Sequence, residues 1–347
     1  MPDSDSSDSP DQHSGYDPER GLLERTREWV DLFPWLRLGR TLRAAASPIM
    51  VGLTTITFAI WWSVHSRWFI PNVDAINEHP VHQYPSVMSL ASLLEPLQLP
   101  GTLGNLVMAI VWALVCCLPC ILFLTRQGAL LTAGREMAPL SMAGRRSIRI
   151  APTAWLVAAV PLICALLFAL MVAAIGFFVD FVAEVPVLHS VLVLFLVILS
   201  LPCGILGFGS LFAIPLGWAA LSNERDSDSL DGLSRGYEYL YRRPIKMLLY
   251  LFLITGLLLV VVSLAIGIQV FASALVTSFL GFIGANATAH RVAEMLQFYP
   301  VVMMLTMFWA LVGGVYLLLR HDAGSQEIED IWQPKPKPTT PLPELKK

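Results

Sequence analysis

The chain has 347 residues, of which 55% are hydrophobic and only 14% charged, against roughly 25% charged in an ordinary soluble domain. That composition excludes a soluble globular protein and assigns much of the chain to lipid. The formal charge of -3 decides little, because in a membrane protein the placement of the cations carries the information.

Residues 1–19 hold no hydrophobic run and are rich in Ser, Asp and Pro, which predicts a disordered tail and not a signal peptide. Across 20–46, Leu22, Trp29, Val30, Phe33 and Leu36 alternate at helical spacing with Glu24, Arg25, Arg27, Arg37 and Arg40. This pattern predicts a basic amphipathic helix on the membrane surface, bent at Pro34. A six-helix membrane domain is expected over 47–322, with apolar runs at 48–64, 102–124, 152–179, 187–221, 247–283 and 298–319. Each approaches or exceeds the roughly 20 residues a helix needs to cross the hydrocarbon core. Two are long: 187–221 and 247–283 would be about 50 Å as continuous helices, against a core of about 30 Å. Pro202, Gly204, Gly207, Gly209 and Pro215 offer break points in the former, predicting a kinked or partly re-entrant helix. The latter, lacking proline, is expected to tilt or project.

Between the fourth and fifth spans, Leu230, Leu233, Tyr237, Leu240 and Tyr241 recur at steps of three and four. They predict a second surface helix, with Ser229 as its cap. Ala165, Ala169 and Ala173, and Ser263 with Gly267, form small-xxx-small patterns that predict close helix packing within the bundle or between two copies. Residues 323–347 read as a proline-rich tail, in which Ile328, Ile331 and Trp332 offer an apolar docking element for a partner.

The cations alternate along this frame. Of 23 Lys and Arg, 21 fall before the first span, in 125–151, in 222–246 or after 319. Such alternation predicts six crossings with both termini in the cytoplasm. Arg37, Arg40, Arg43, Arg145, Arg146, Arg149, Arg242 and Arg243 are the residues expected to meet anionic lipid at that face.

Each basic segment leads into a proline (Arg40 before Pro48, Arg145 before Pro152, Arg235 before Pro244), and each hairpin exits on a polar, basic stretch such as Leu124-Thr125-Arg126 or Ser222-Asn223-Glu224-Arg225. We read three units, each a surface helix followed by a hairpin of spans. Phe33-Pro-Trp-Leu-Arg-Leu38, Ile214-Pro-Leu-Gly-Trp218, Leu230-Asp-Gly-Leu-Ser-Arg-Gly-Tyr-Glu-Tyr-Leu-Tyr-Arg-Arg-Pro244 and Tyr316-Leu-Leu-Leu-Arg-His-Asp322 resemble the segments of a multipass membrane protein family typical of planctomycete bacteria. That family has no assigned activity. The resemblance therefore implies the topology and a bacterial inner-membrane location, and transfers no site residue.

Candidate chemistry is sparse. The centres of the spans carry no Asp, Glu, Lys, Arg or His, which disfavours a proton-coupled carrier or pump. Cys117-Leu-Pro-Cys120 has the spacing of a thiol redox pair, but no cation stands beside it to lower a thiol pKa. His79-Pro-Val-His82 could supply metal ligands only as part of a loose loop, and His290 with Glu294, four residues apart, reads as an ion pair. No catalytic, cofactor or metal site is expected. The partners expected are anionic lipids, with a membrane-protein partner or a second copy, and no nucleic acid. The reading is a non-enzymatic interaction, assembly or lipid-organising module; the alternative is a permease or flippase-like carrier of a neutral or apolar solute.

Overall fold

The computed structural model describes residue 29 and residues 32–68, 103–181, 185–225, 228–324 and 327–332. His79, His82 and most of the two tails lie outside them. Among the described residues the protein is entirely helical. Six helices are long and apolar enough to cross a membrane, and the protein is an all-α multipass membrane bundle.

Of the surface helix expected before the first span with a bend at Pro34, the described part forms a 3-10 helix at Pro34–Thr41 and a single α turn at Leu42–Ala45. Proline suits the start, where an amide would go unbonded. Thr41 donates its hydroxyl to the Leu38 carbonyl at 2.6 Å, and Leu38 is buried. The spans then run as α1 (Pro48–Trp68), α2 (Leu103–Thr132), α3 (Leu140–Phe181) and α4 (Pro186–Asn223). After a short link come α5 (Ser229–Arg242), α6 (Pro244–Phe282), α7 (Asn286–Leu296) and α8 (Phe298–Gly324).

Pro48 and Pro244 each open a new helix, whereas Pro152 lies inside α3. The surface helix expected before Pro152, at the head of the second unit, is therefore simply the basic first turns of a span, whereas the one expected between the fourth and fifth spans stands by itself as α5. Likewise α4 is one helix despite Pro202 and Pro215. At 38 residues it is about 57 Å long. Helix α2 runs eight residues past the apolar run that announced it, because Thr125, Arg126 and Gln127 are all buried against neighbours. Its end is a glycine cap: Gly134 takes φ 75, Arg135 N–H bonds the Leu130 carbonyl at 2.9 Å and Gly134 N–H that of Leu131 at 3.0 Å. Only a residue without Cβ adopts that conformation at little cost.

Helices α2 and α8 form the centre. Their backbones nearly touch: a Cβ at Gly128 would collide with the Ala310 carbonyl, and one at Gly313 with the Thr125 carbonyl. Helix α1 packs on one side of this pair through Phe58 and Trp61, α3 and α4 on another through Ala154, Val157 and Trp218, and α6 on the α8 side through Met247, Tyr250 and Ile254.

Helix α5 doubles back antiparallel along α4. Gly217 meets Gly232, and a Cβ at Gly236 would strike the backbone of Ala213. Tyr237 and Tyr241 donate to the carbonyls of Leu206 at 3.0 Å and Ile205 at 2.6 Å. The buried side is therefore Gly232, Leu233, Gly236, Tyr239 and Leu240, while Leu230 and Tyr241 are exposed. The cap is Asp228, one residue before the one expected; its carboxylate accepts from Ser229 N–H at 2.6 Å. Ala169, Ala173, Ser263 and Gly267 are exposed, so the close packing within this chain rests on other small residues.

Candidate arginine pocket

The ends of α2 and α4, the start of α3 and the segment 327–332 converge at one end of the bundle. Arg145, Arg146 and Arg149 lie in the first turns of α3. Facing them, Arg126 near the end of α2 is only 3% exposed. It donates to the Ser222 carbonyl at 2.8 Å and the Trp332 carbonyl at 3.1 Å. Thr125 and Ser222 share a hydroxyl hydrogen bond at 3.2 Å, which joins the two helix ends. Gln127 clamps the α2–α3 turn, donating to the Ala138 carbonyl at 2.8 Å and accepting from Ala138 N–H at 2.9 Å.

A cavity of about 890 Å³ opens among these elements, lined by Arg126, Arg145, Arg146, Arg149, Arg225 and the Trp332 ring, with Glu224 as its carboxylate. That carboxylate is already engaged. It pairs with Arg235 and accepts the Tyr316 hydroxyl, while Arg235 also holds Asp231 at 3.0 Å. Burial opposes the charge on Arg235, yet the Glu224 and Asp231 carboxylates hold its pKa above the ordinary guanidinium value. Among the described residues no carboxylate pairs with Arg126, Arg145 or Arg149. The cavity is therefore strongly electropositive.

Residues 327–332 cross this end as a strap. Ile328 and Ile331 are buried in the main apolar core. Arg320 donates to the carbonyls of Glu327 at 3.2 Å and Asp330 at 2.5 Å, and Arg135 to that of Glu329 at 2.5 Å. The Trp332 ring lies 4.1 Å from the Arg146 guanidinium and 5.8 Å from that of Arg126, both within cation–π range. The apolar element expected to seek a partner thus docks on its own chain.

Of the eight arginines singled out from the sequence, the structure gathers Arg145, Arg146 and Arg149. Arg37 reaches the strap through Glu329 at 3.5 Å, Arg40 lies over Gly134, and Arg43 is exposed. On α5, Arg242 pairs with Glu238 at 2.6 Å, and Arg243 is exposed at its end. Arg126, Glu224, Arg225 and Trp332 were missed as site residues, although the two basic helix exits already carried the first three. Elsewhere, Cys117 and Cys120 sit among apolar side chains of α1, α2 and α8. His290 and Glu294 form the expected pair at 3.1 Å. Comparison of the chain with family models, curated proteins and solved structures gives no match.

Proposed function

We propose that the protein is a non-enzymatic module of a bacterial inner membrane that holds anionic lipid through its arginine pocket, with the basic end and both termini at the cytoplasmic face. The observation that carries this reading is the convergence of five arginines, one of them buried, on one cavity at the end where the spans terminate. Basic pockets between spans on the cytoplasmic side suit lipid head groups, and 21 of 23 cations fall in segments that the alternation assigns to that side. A lipid held there would tie α2, α3 and α4 to the strap, so lipid composition would set how firmly this end is closed.

The test is native mass spectrometry of the protein released gently from its own membrane and from nanodiscs of mixed anionic and neutral phospholipid. Retained lipid enriched in anionic species over the surrounding bilayer is the expected result. Retention that mirrors the bilayer composition overturns the reading, and a stoichiometric protein partner identifies what the module assembles.

A further inference from the structure

We propose that the arginine pocket is built for a doubly ionised phosphate group, a phosphomonoester or a diphosphate, in preference to the single charge of a phosphodiester; the inference rests on the lipid-holding reading and narrows its ligand. The first ground is charge. Of the lining arginines, Arg126, Arg145 and Arg149 pair with no carboxylate among the described residues, and the lining Glu224 is engaged by Arg235 and Tyr316. Arg145 and Arg149 stand four residues apart on α3, where like charges repel and weaken the helix. One phosphodiester would neutralise a single guanidinium. A phosphomonoester brings a charge of about -1.5 to -2 at neutral pH and three terminal oxygens, each able to accept from a guanidinium fork.

The second ground is preorganisation. Arg126 is fixed by the carbonyls of Ser222 and Trp332, and Arg146 by the Trp332 ring and the Glu224 carbonyl, to which it donates at 2.5 Å. Planar donors already held in place lose little entropy on binding and favour bidentate recognition of phosphate. The cavity of about 890 Å³ has room for more than one phosphoryl group. A lipid head group and a soluble phosphate compound share this chemistry.

The full chain in phosphatidylcholine nanodiscs is titrated by calorimetry at constant ionic strength with short-chain phosphatidic acid, short-chain phosphatidylglycerol, glycerol phosphate and inorganic pyrophosphate. Phosphatidic acid is expected to bind about tenfold more tightly than phosphatidylglycerol, the equivalent of one further charge-assisted hydrogen bond. That advantage should fade as pH falls through the second phosphate ionisation near about 6. The Arg145→Ala/Arg149→Ala variant, altered only at exposed positions, should lose it. Binding of pyrophosphate or glycerol phosphate as tight as that of phosphatidic acid assigns the site to a soluble compound, and binding of phosphatidic acid alone assigns it to lipid. If both lipids bind alike at every pH and both are weakened by the variant, the phosphate preference is overturned while the lipid-holding reading stands. If neither binds better than phosphatidylcholine, both fall. The pH profile of the unaltered protein decides the matter even if the variant is unstable.

Discussion

The two ends of this bundle are built by different rules. At the arginine-rich end the elements are joined by polar contacts over an apolar core: Arg126 to Ser222, Thr125 to Ser222, Glu224 to Arg235 and Tyr316, and Arg320 to the strap. At the other end α3 and α4 carry apolar side chains with few protein neighbours. No residue of α4 from Pro186 to Phe208 is buried, and its 18-residue apolar stretch is 0% buried against 78% for that of the last span. Lipid is as apolar as these side chains, so hydrophobicity gives them no reason to associate, whereas close packing and hydrogen bonds do. The arginine-rich end is specified by the protein; the far halves of α3 and α4 are left to the bilayer.

The largest effect expected from that contrast comes from two glycines. Gly313→Leu places a side chain against the Thr125 backbone, and backbone cannot yield as a flexible side chain can. The loss should reach about 3 kcal/mol or more, seen as aggregation or an early melting transition in fluorescence-detected size exclusion. Gly204→Leu, with nothing within 4 Å of its Cβ position, should leave the profile unchanged. Equal damage from the two would erase the distinction between the ends.

Next in size is Arg126→Met, which keeps volume but removes charge-assisted donors to two carbonyls. A cost of about 2–3 kcal/mol is expected, since the Ser222 carbonyl stays buried without this donor; thermal denaturation in detergent measures it. Trp332→Ala should cost about 1 kcal/mol through the lost guanidinium stacking. The more telling readout is local: a Glu-specific protease should cut after Glu327 and Glu329 faster in this variant. Unchanged cleavage would mean that Ile328, Ile331 and the Arg320 and Arg135 hydrogen bonds hold the strap without the ring.

Much of the architecture was legible because lipid makes two simple demands, length and apolarity, and the cations mark which loops share a side. The span count follows from these alone. Helix ends were less legible. Arg126 lies on a helix that continues past its apolar run, because buried hydrogen bonds to Ser222 and Trp332 compensate the charge, and those partners are 96 and 206 residues away. The pocket was half visible: Arg145, Arg146 and Arg149 stood out as a basic run, but nothing local distinguishes them from Arg242 and Arg243, which the structure leaves outside. Small-residue patterns misled for a related reason. Spacing marks Ala169 and Ala173 as readily as Gly217 and Ala213, and only the return of α5 along α4 selects the latter pair.

The smallest effect separates two arginines on that returning helix. Arg235 and Arg242 each hold a carboxylate four residues earlier, Asp231 and Glu238, so sequence alone ranks them equal. Their surroundings differ. Arg242 and Glu238 are 59% and 48% exposed, and Arg242→Ala should change stability by no more than about 0.5 kcal/mol, an amount that high salt removes. Arg235 is 30% exposed and reaches Glu224, itself 14% exposed. Removing it leaves that carboxylate facing the cavity with Tyr316 as its remaining donor and lowers the positive surplus around the pocket. Arg235→Ala should therefore cost about 1–2 kcal/mol, persist in high salt, and weaken anion binding, whereas Arg242→Ala leaves binding intact. Equal salt dependence in the two variants would place Glu224 in open water and remove the electrostatic boundary between the pocket and the helix surface.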